Sequence, residues 1–190
     1  IAIFALSLVA TAAMAASSYG TATINITGSS TQTASVNGSR VENTAQSKAY
    51  ANQNIASNKG SITVSGNSTQ TSIVDNAVVT NKAQSAGDVA VQNLASNVGT
   101  VSIDKSIHFT GTSNQTANVV GATLKNEANS SSNSCSGPDC RDGALAYQNA
   151  ASNMGEVSIS GISTQVVGIS GSGTTVSNTA KGANTVAVQN

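Results

Sequence analysis

The chain has 190 residues, of which only 8% are charged, and its eight acidic and eight basic side chains cancel to a formal net charge of zero. Ordinary soluble domains carry roughly a quarter charged residues, so this composition leaves no basic face for nucleic acid and no acidic tail. Aromatics make up 3% with no tryptophan, which leaves a core to Val, Ile, Leu and Ala, while a single proline and regularly spaced β-branched residues separate the chain from disordered polymers of similar polarity.

Residues 1–10 are an apolar run, and Ala13-Met14-Ala15 supplies a small-x-small site before Ala16. We read residues 1–15 as the later part of a secretory signal peptide, the alternative being a buried apolar segment. The run is too short to span a bilayer. The basic start and initiator Met are missing and the last repeat stops in mid-motif, so the sequence is expected to be a fragment at both ends. The expected mature chain, 16–190, is secreted, extracellular or at the cell surface, with no membrane span.

Three landmarks then return four times in fixed order. Gly-x-Ser-x-Gln occupies residues 28–32, 66–70, 111–115 and 161–165. Apolar-x-Asn-x-Ala follows around Asn43, Asn81, Asn126 and Asn178. Gln-Asn-x-Ala-Ser-Asn-x-Gly fills 53–60, 92–99 and 148–155 and is broken off at Gln189-Asn190. A fixed order at one period marks stacked units, each burying its apolar face against its neighbour. Cut at the recurring glycine, the units are 20–59, 60–98, 99–154 and 155–190.

Inside a unit, alternation with period two predicts strands. Ile24 and Ile26 open the first unit, as Ile62 and Val64, Val101 and Ile103, and Val157 and Ile159 open the others. A glycine then turns the chain into a second strand that reads Gln-x-small-x-apolar. Because alternate residues share a face, Gln32, Gln70, Gln115 and Gln165 are expected to point inward with the apolar residues. The same parity puts Asn43, Asn81, Asn126 and Asn178 inside. A buried amide is costly unless both ends are bonded, and identical amides one strand spacing apart satisfy each other. We therefore expect an amide ladder, the alternative being surface residues multiplied by duplication. Among the outward neighbours Thr33, Thr71, Thr116 and Val166 one differs, while the glutamine does not change.

The fold expected is all-β, a parallel β-solenoid of four stacked repeats of about 39 residues. Each unit forms one large rung or two smaller ones; one is favoured, because its halves carry no matching landmarks.

The third unit holds two insertions, residues 104–110 and 129–142, expected to leave the stack as loops. Cys135 and Cys140 lie in the second, and export favours a small disulfide over free thiols or a metal site lacking two further ligands. The single histidine, His108, is in the first. Neither it nor the scattered acids Glu42, Asp75, Asp88, Asp104, Glu127, Asp139, Asp142 and Glu156 form a catalytic or metal-binding set. No phosphate loop is present at residues 168–173, which lack a following Lys-Ser. The expectation is no enzyme, no cofactor and no metal.

In its repeated Gln and Asn among alternating Ala, Val, Ser and Gly, as at Ser30-x-Gln32, Asn43-x-Ala45 and residues 85–93, the mature chain resembles secreted bacterial functional-amyloid subunits, the curlins and Fap-type fibril proteins. The resemblance implies a cross-β fibril of stacked rungs, serving biofilm matrix or attachment and needing no cofactor. The expected function is a secreted structural repeat protein that forms or belongs to an extracellular fibre, self-associating through the solenoid ends. The alternative is the monomeric stalk of a cell-surface adhesin with receptor or glycan contacts. An ice- or surface-binding face and a β-helix enzyme rank below these.

Overall fold

The computed structural model describes residues 23–46, 50–84, 89–103, 111–129, 145–181 and 186–190. The expected signal peptide, Cys135 and Cys140, His108, residues 104–110 and all of 129–142 except Asn129 lie outside the described residues.

Apolar alternation interrupted at fixed points divides each unit into four strands. The first unit gives β1 (Thr23–Ile26), β2 (Ser29–Asn37), β3 (Arg40–Ala45) and β4 (Tyr50–Ile55). The second gives β5 (Asn58–Val64), β6 (Asn67–Asp75), β7 (Val78–Ala83) and β8 (Val89–Leu94). The third gives β9 (Asn97–Ile103), β10 (Thr112–Val120), β11 (Thr123–Asn129) and β12 (Leu145–Ala150), and the fourth β13 (Asn153–Ile159), β14 (Ile162–Ser170), β15 (Thr175–Lys181) and β16 (Val186–Gln189).

Every strand pairs with its counterpart in the next unit, in parallel, making four sheets: β1-β5-β9-β13, β2-β6-β10-β14, β3-β7-β11-β15 and β4-β8-β12-β16. The protein is thus a parallel β-solenoid of four repeats in which one repeat makes one rung. Landmark stacks on landmark. Gln32, Gln70, Gln115 and Gln165 occupy one register position, and Asn43, Asn81, Asn126 and Asn178 another. Both insertions of the third unit leave the register intact, since β10 pairs with β6 from Thr112 on Asn67, and β12 with β8 from Leu145 on Val89.

The recurring glycine used to divide the units lies inside strands of the first sheet instead of at a corner. Gly60, Gly99 and Gly155 pair one above another with positive φ, at 138°, 127° and 118°. A Cβ on Gly99 would meet the Gly60 carbonyl oxygen at 2.2 Å, and one on Gly155 would meet that of Gly99 at 2.1 Å. Backbone approaches backbone here, which a side chain would prevent. The bend lies four residues earlier, where Ala56, Ala95 and Ala151 take left-handed φ near 50° between the fourth sheet and the first.

Among the described residues, three apolar clusters fill the interior. Val74, Val79, Val119 and Leu124 of the second and third sheets pack against Leu94 and Ala95 at the bend. Ala45, Ala83 and Ala128 face Ala51, Ala90 and Ala146 across the third and fourth sheets. Ile26, Ile62 and Val64 form the first sheet's own cluster. Full burial of one such Val, Leu or Ile stabilises by about 1.5–3 kcal/mol. The fourth rung packs against a neighbour on one axial side only. Gln165, Val167 and Ile169 are therefore exposed despite their inward register, which corrects the expectation of a buried Gln165.

Candidate functional site

In a stack of parallel strands a side-chain amide lies one strand spacing, about 4.8 Å, from its counterpart. It can donate to one neighbour and accept from the other. The third sheet does this along its whole height: Asn43 Nδ2 donates to Asn81 Oδ1 at 2.7 Å, Asn81 to Asn126 at 2.8 Å and Asn126 to Asn178 at 2.8 Å. The same amides also donate across to the fourth sheet. Asn81 reaches the carbonyls of Val91 and Ala51, and Asn126 those of Tyr147 and Ala90. That reach exists because the facing residues are alanines, which hold the two sheets close.

Three further rows come from the Gln-Asn-x-Ala-Ser-Asn-x-Gly segment. Gln92 Nε2 donates to Gln53 Oε1 and Gln148 to Gln92, both at 2.7 Å. On the opposite strand face Asn93 donates to Asn54 and Asn149 to Asn93, both at 2.7 Å, and Asn190 to Asn149 at 3.0 Å. Past the bend, Asn58 donates to Asn97 and Asn97 to Asn153, each at 3.0 Å. The serine between them bonds the bend to itself and to the next rung. Ser96 Oγ donates to the Leu94 carbonyl, while the Ser96 N–H donates to Ser57 Oγ at 3.0 Å.

The row formed by Gln32, Gln70, Gln115 and Gln165 behaves differently from the expected ladder. Its members share a register, and Gln70 and Gln115 are fully buried. Yet Gln32 donates to Asn58 Oδ1, Gln70 to the Ser96 carbonyl and Gln115 to the Ser152 carbonyl, and only Gln165 donates to its counterpart, Gln115 Oε1, at 3.3 Å. The bend of the facing segment places acceptors opposite the second sheet, and the Nε2 groups take these in preference to one another. Gln70 Oε1 is left buried without a partner, between Ser68 Oγ and Ser72 Oγ in the same condition.

Sequence reasoning thus located one full ladder at Asn43, Asn81, Asn126 and Asn178, and a second row whose bonds run crosswise. It noted the eight-residue segment as a landmark but assigned its amides no role. The signal was available, since Gln, Asn and Asn hold identical positions in three units.

The charged groups sit outside this interior. Lys125 pairs with Glu127 at 2.8 Å, Lys82 approaches Glu127 at 3.9 Å, and Arg40 pairs with Glu42 at 2.9 Å, all on the third sheet's outer face. Among the described residues no three His, Cys, Asp or Glu side chains group as a metal site, and no helix is long and apolar enough to cross a membrane. Comparison with protein-family models, with curated proteins and with solved structures finds no match to the chain. What the amide rows accomplish is selection of register: a slip of one residue turns every inward amide outward and breaks all rows together.

Proposed function

We propose that the chain is a secreted structural repeat protein that forms, or belongs to, an extracellular fibre built by stacking rungs. The observation that carries this reading is the in-register pairing of identical amides from rung to rung. A rung so built presents along its axis the pattern of strand edges and amides that a like rung requires, and this is the condition for cross-β growth. The low charge, which limits repulsion between stacked copies, supports the same reading. On this reading the chain carries no catalytic machinery and needs no cofactor; its place is outside the cell, in a matrix or an attachment structure.

The test is assembly. Purified mature chain, from Ala16, incubated at high concentration should form unbranched fibres with a meridional reflection at ~4.8 Å. A chain that stays monomeric for days would overturn the fibre reading and favour the stalk of a cell-surface adhesin.

A further inference from the structure

The outer face of the second sheet differs from that of the third. Its four strands, β2, β6, β10 and β14, are each nine residues long. Alternation turns every second residue outward, and those outward positions carry mostly Thr, Ser and Asn. Thr31 stacks on Thr69, and Thr33, Thr71 and Thr116 stack in one row. The face holds one charged residue, Asp75, at its end. The third sheet's outer face, by contrast, holds Arg40, Glu42, Lys82, Lys125, Glu127 and Lys181. Charge is thus partitioned, and a charged flat face resists packing against another sheet while an uncharged one permits it.

The second sheet's face also exposes apolar side chains that the solenoid interior does not account for. Val120, Ile162 and Val166 are 37%, 54% and 48% exposed. All three occupy outward register positions, paired with Asp75, Thr112 and Thr116 respectively. Stacking another rung on the rod would leave them facing outward, unlike the inward Val167 and Ile169. Outward apolar groups set among short polar side chains gain from being covered.

We propose that this face is a lateral interface, packed against the same face of a second copy so that rods lie side by side. A face whose one charge, Asp75, is negative and lies at its end offers no basic group to nucleic acid or anionic lipid and little to a charged protein, and it presents no aromatic ring for stacking on a sugar. It is complementary to itself, because in-register rows of Thr, Ser, Asn and Val interdigitate into a dry contact. Nine residues by four strands cover roughly 600 Å². Two such faces bury about 1,200 Å², at the bottom of the range for stable complexes. Single copies therefore pair weakly, and pairing strengthens as copies stack, a consequence that rests on the fibre reading.

The experiment places the same added charge on two faces. In assembled material, Thr69→Lys with Val166→Lys should yield single rods that keep the ~4.8 Å reflection, where the unaltered chain gives paired or bundled rods by electron microscopy. Thr44→Lys with Thr179→Lys, on the third sheet, should leave bundling unchanged. Unaltered rods that are single, or a second-sheet variant that bundles as before, would overturn the proposal. So would single rods that bind insoluble polysaccharide through Thr69 and Val166, which would give the face to a glycan.

Should no fibres form, crosslinking decides separately. In a Cys135→Ser, Cys140→Ser background, oxidation of concentrated Thr71→Cys protein should give several-fold more covalent dimer than Thr44→Cys protein. Equal yields would overturn the lateral interface. A Thr71→Cys excess without fibres would retain it while the fibre reading fails.

Discussion

Gln148 Nε2 donates to Gln92 Oε1 across 2.7 Å although 56 residues separate them in the chain, and Gln92 in turn donates to Gln53. Replacing Gln92 by Leu strips Gln148 of its acceptor and Gln53 of its donor inside the protein. Each orphaned group costs about 1–3 kcal/mol, so Gln92→Leu should lower stability by roughly 2–4 kcal/mol in denaturant unfolding. Gln70 is equally buried, but its Oε1 has no partner and its one acceptor, the Ser96 carbonyl, already receives the Asn58 N–H. Gln70→Leu orphans nothing and should fall within about 1 kcal/mol of the unaltered chain. Equal losses for the two variants would contradict this division of roles.

The bend tests backbone conformation against packing. Ala95 takes φ 47° with its methyl fully buried. Gly at this position relieves about 1 kcal/mol of left-handed strain and loses a similar amount through methyl burial and chain entropy, so Ala95→Gly should be close to neutral. Ala95→Val adds β-branching in a left-handed conformation and overfills the core, and should cost more than about 2 kcal/mol. Thermal melts of the two variants provide the comparison; a Val substitution no worse than Gly would show that the bend is loosely packed.

Two glycines with positive φ should differ sharply. Gly38 has open space where a Cβ would stand, whereas a Cβ on Gly99 collides with the Gly60 carbonyl. Gly38→Ala should cost about 1 kcal/mol from conformation alone. Gly99→Ala should cost more than about 3 kcal/mol or prevent folding, the expectation for a clash that only backbone movement relieves. Circular dichroism and unfolding midpoints of both variants would reveal it.

On the surface, Lys125→Ala removes the 2.8 Å pair with Glu127, in which the lysine side chain is 44% exposed. An exposed pair contributes at most about 1 kcal/mol and is screened by salt. The loss should be small at low ionic strength and vanish near 1 M salt. A large loss that persists in salt would indicate packing by the lysine stem.

Much of the architecture was readable because apolar alternation and identical landmarks report the same thing, a strand paired with its own copy. Gln70 stacks on Gln32 and Asn81 on Asn43 as their shared spacing requires. The bend was not readable. Alanine gives no sign of a left-handed turn, as glycine would, so nothing in the sequence marks Ala56, Ala95 and Ala151 as the bend, and a division at Gly60 falls four residues past it. The crosswise bonds of Gln70 and Gln115 were hidden for the same reason, since their acceptors exist only once the bend brings the carbonyls of Ser96 and Ser152 opposite the second sheet. The segment after Gln53 also resembles a polar loop by composition, and only its rung-to-rung bonding makes it structural.

The four amide rows do not all point the same way. Those at Asn43 and Asn58 donate toward the C-terminal rung, while those at Gln53 and Asn54 donate toward the N-terminal one. In a helix the aligned peptide dipoles sum to about half a charge at each end; here the side-chain dipoles oppose one another two against two. Adding rungs therefore builds up little axial polarisation from the amides, and sheets contribute little of their own. On the fibre reading, a rod of this kind would meet no growing electrostatic resistance as it lengthened, and its length would be governed by the supply of rungs and by the chemistry of its last one.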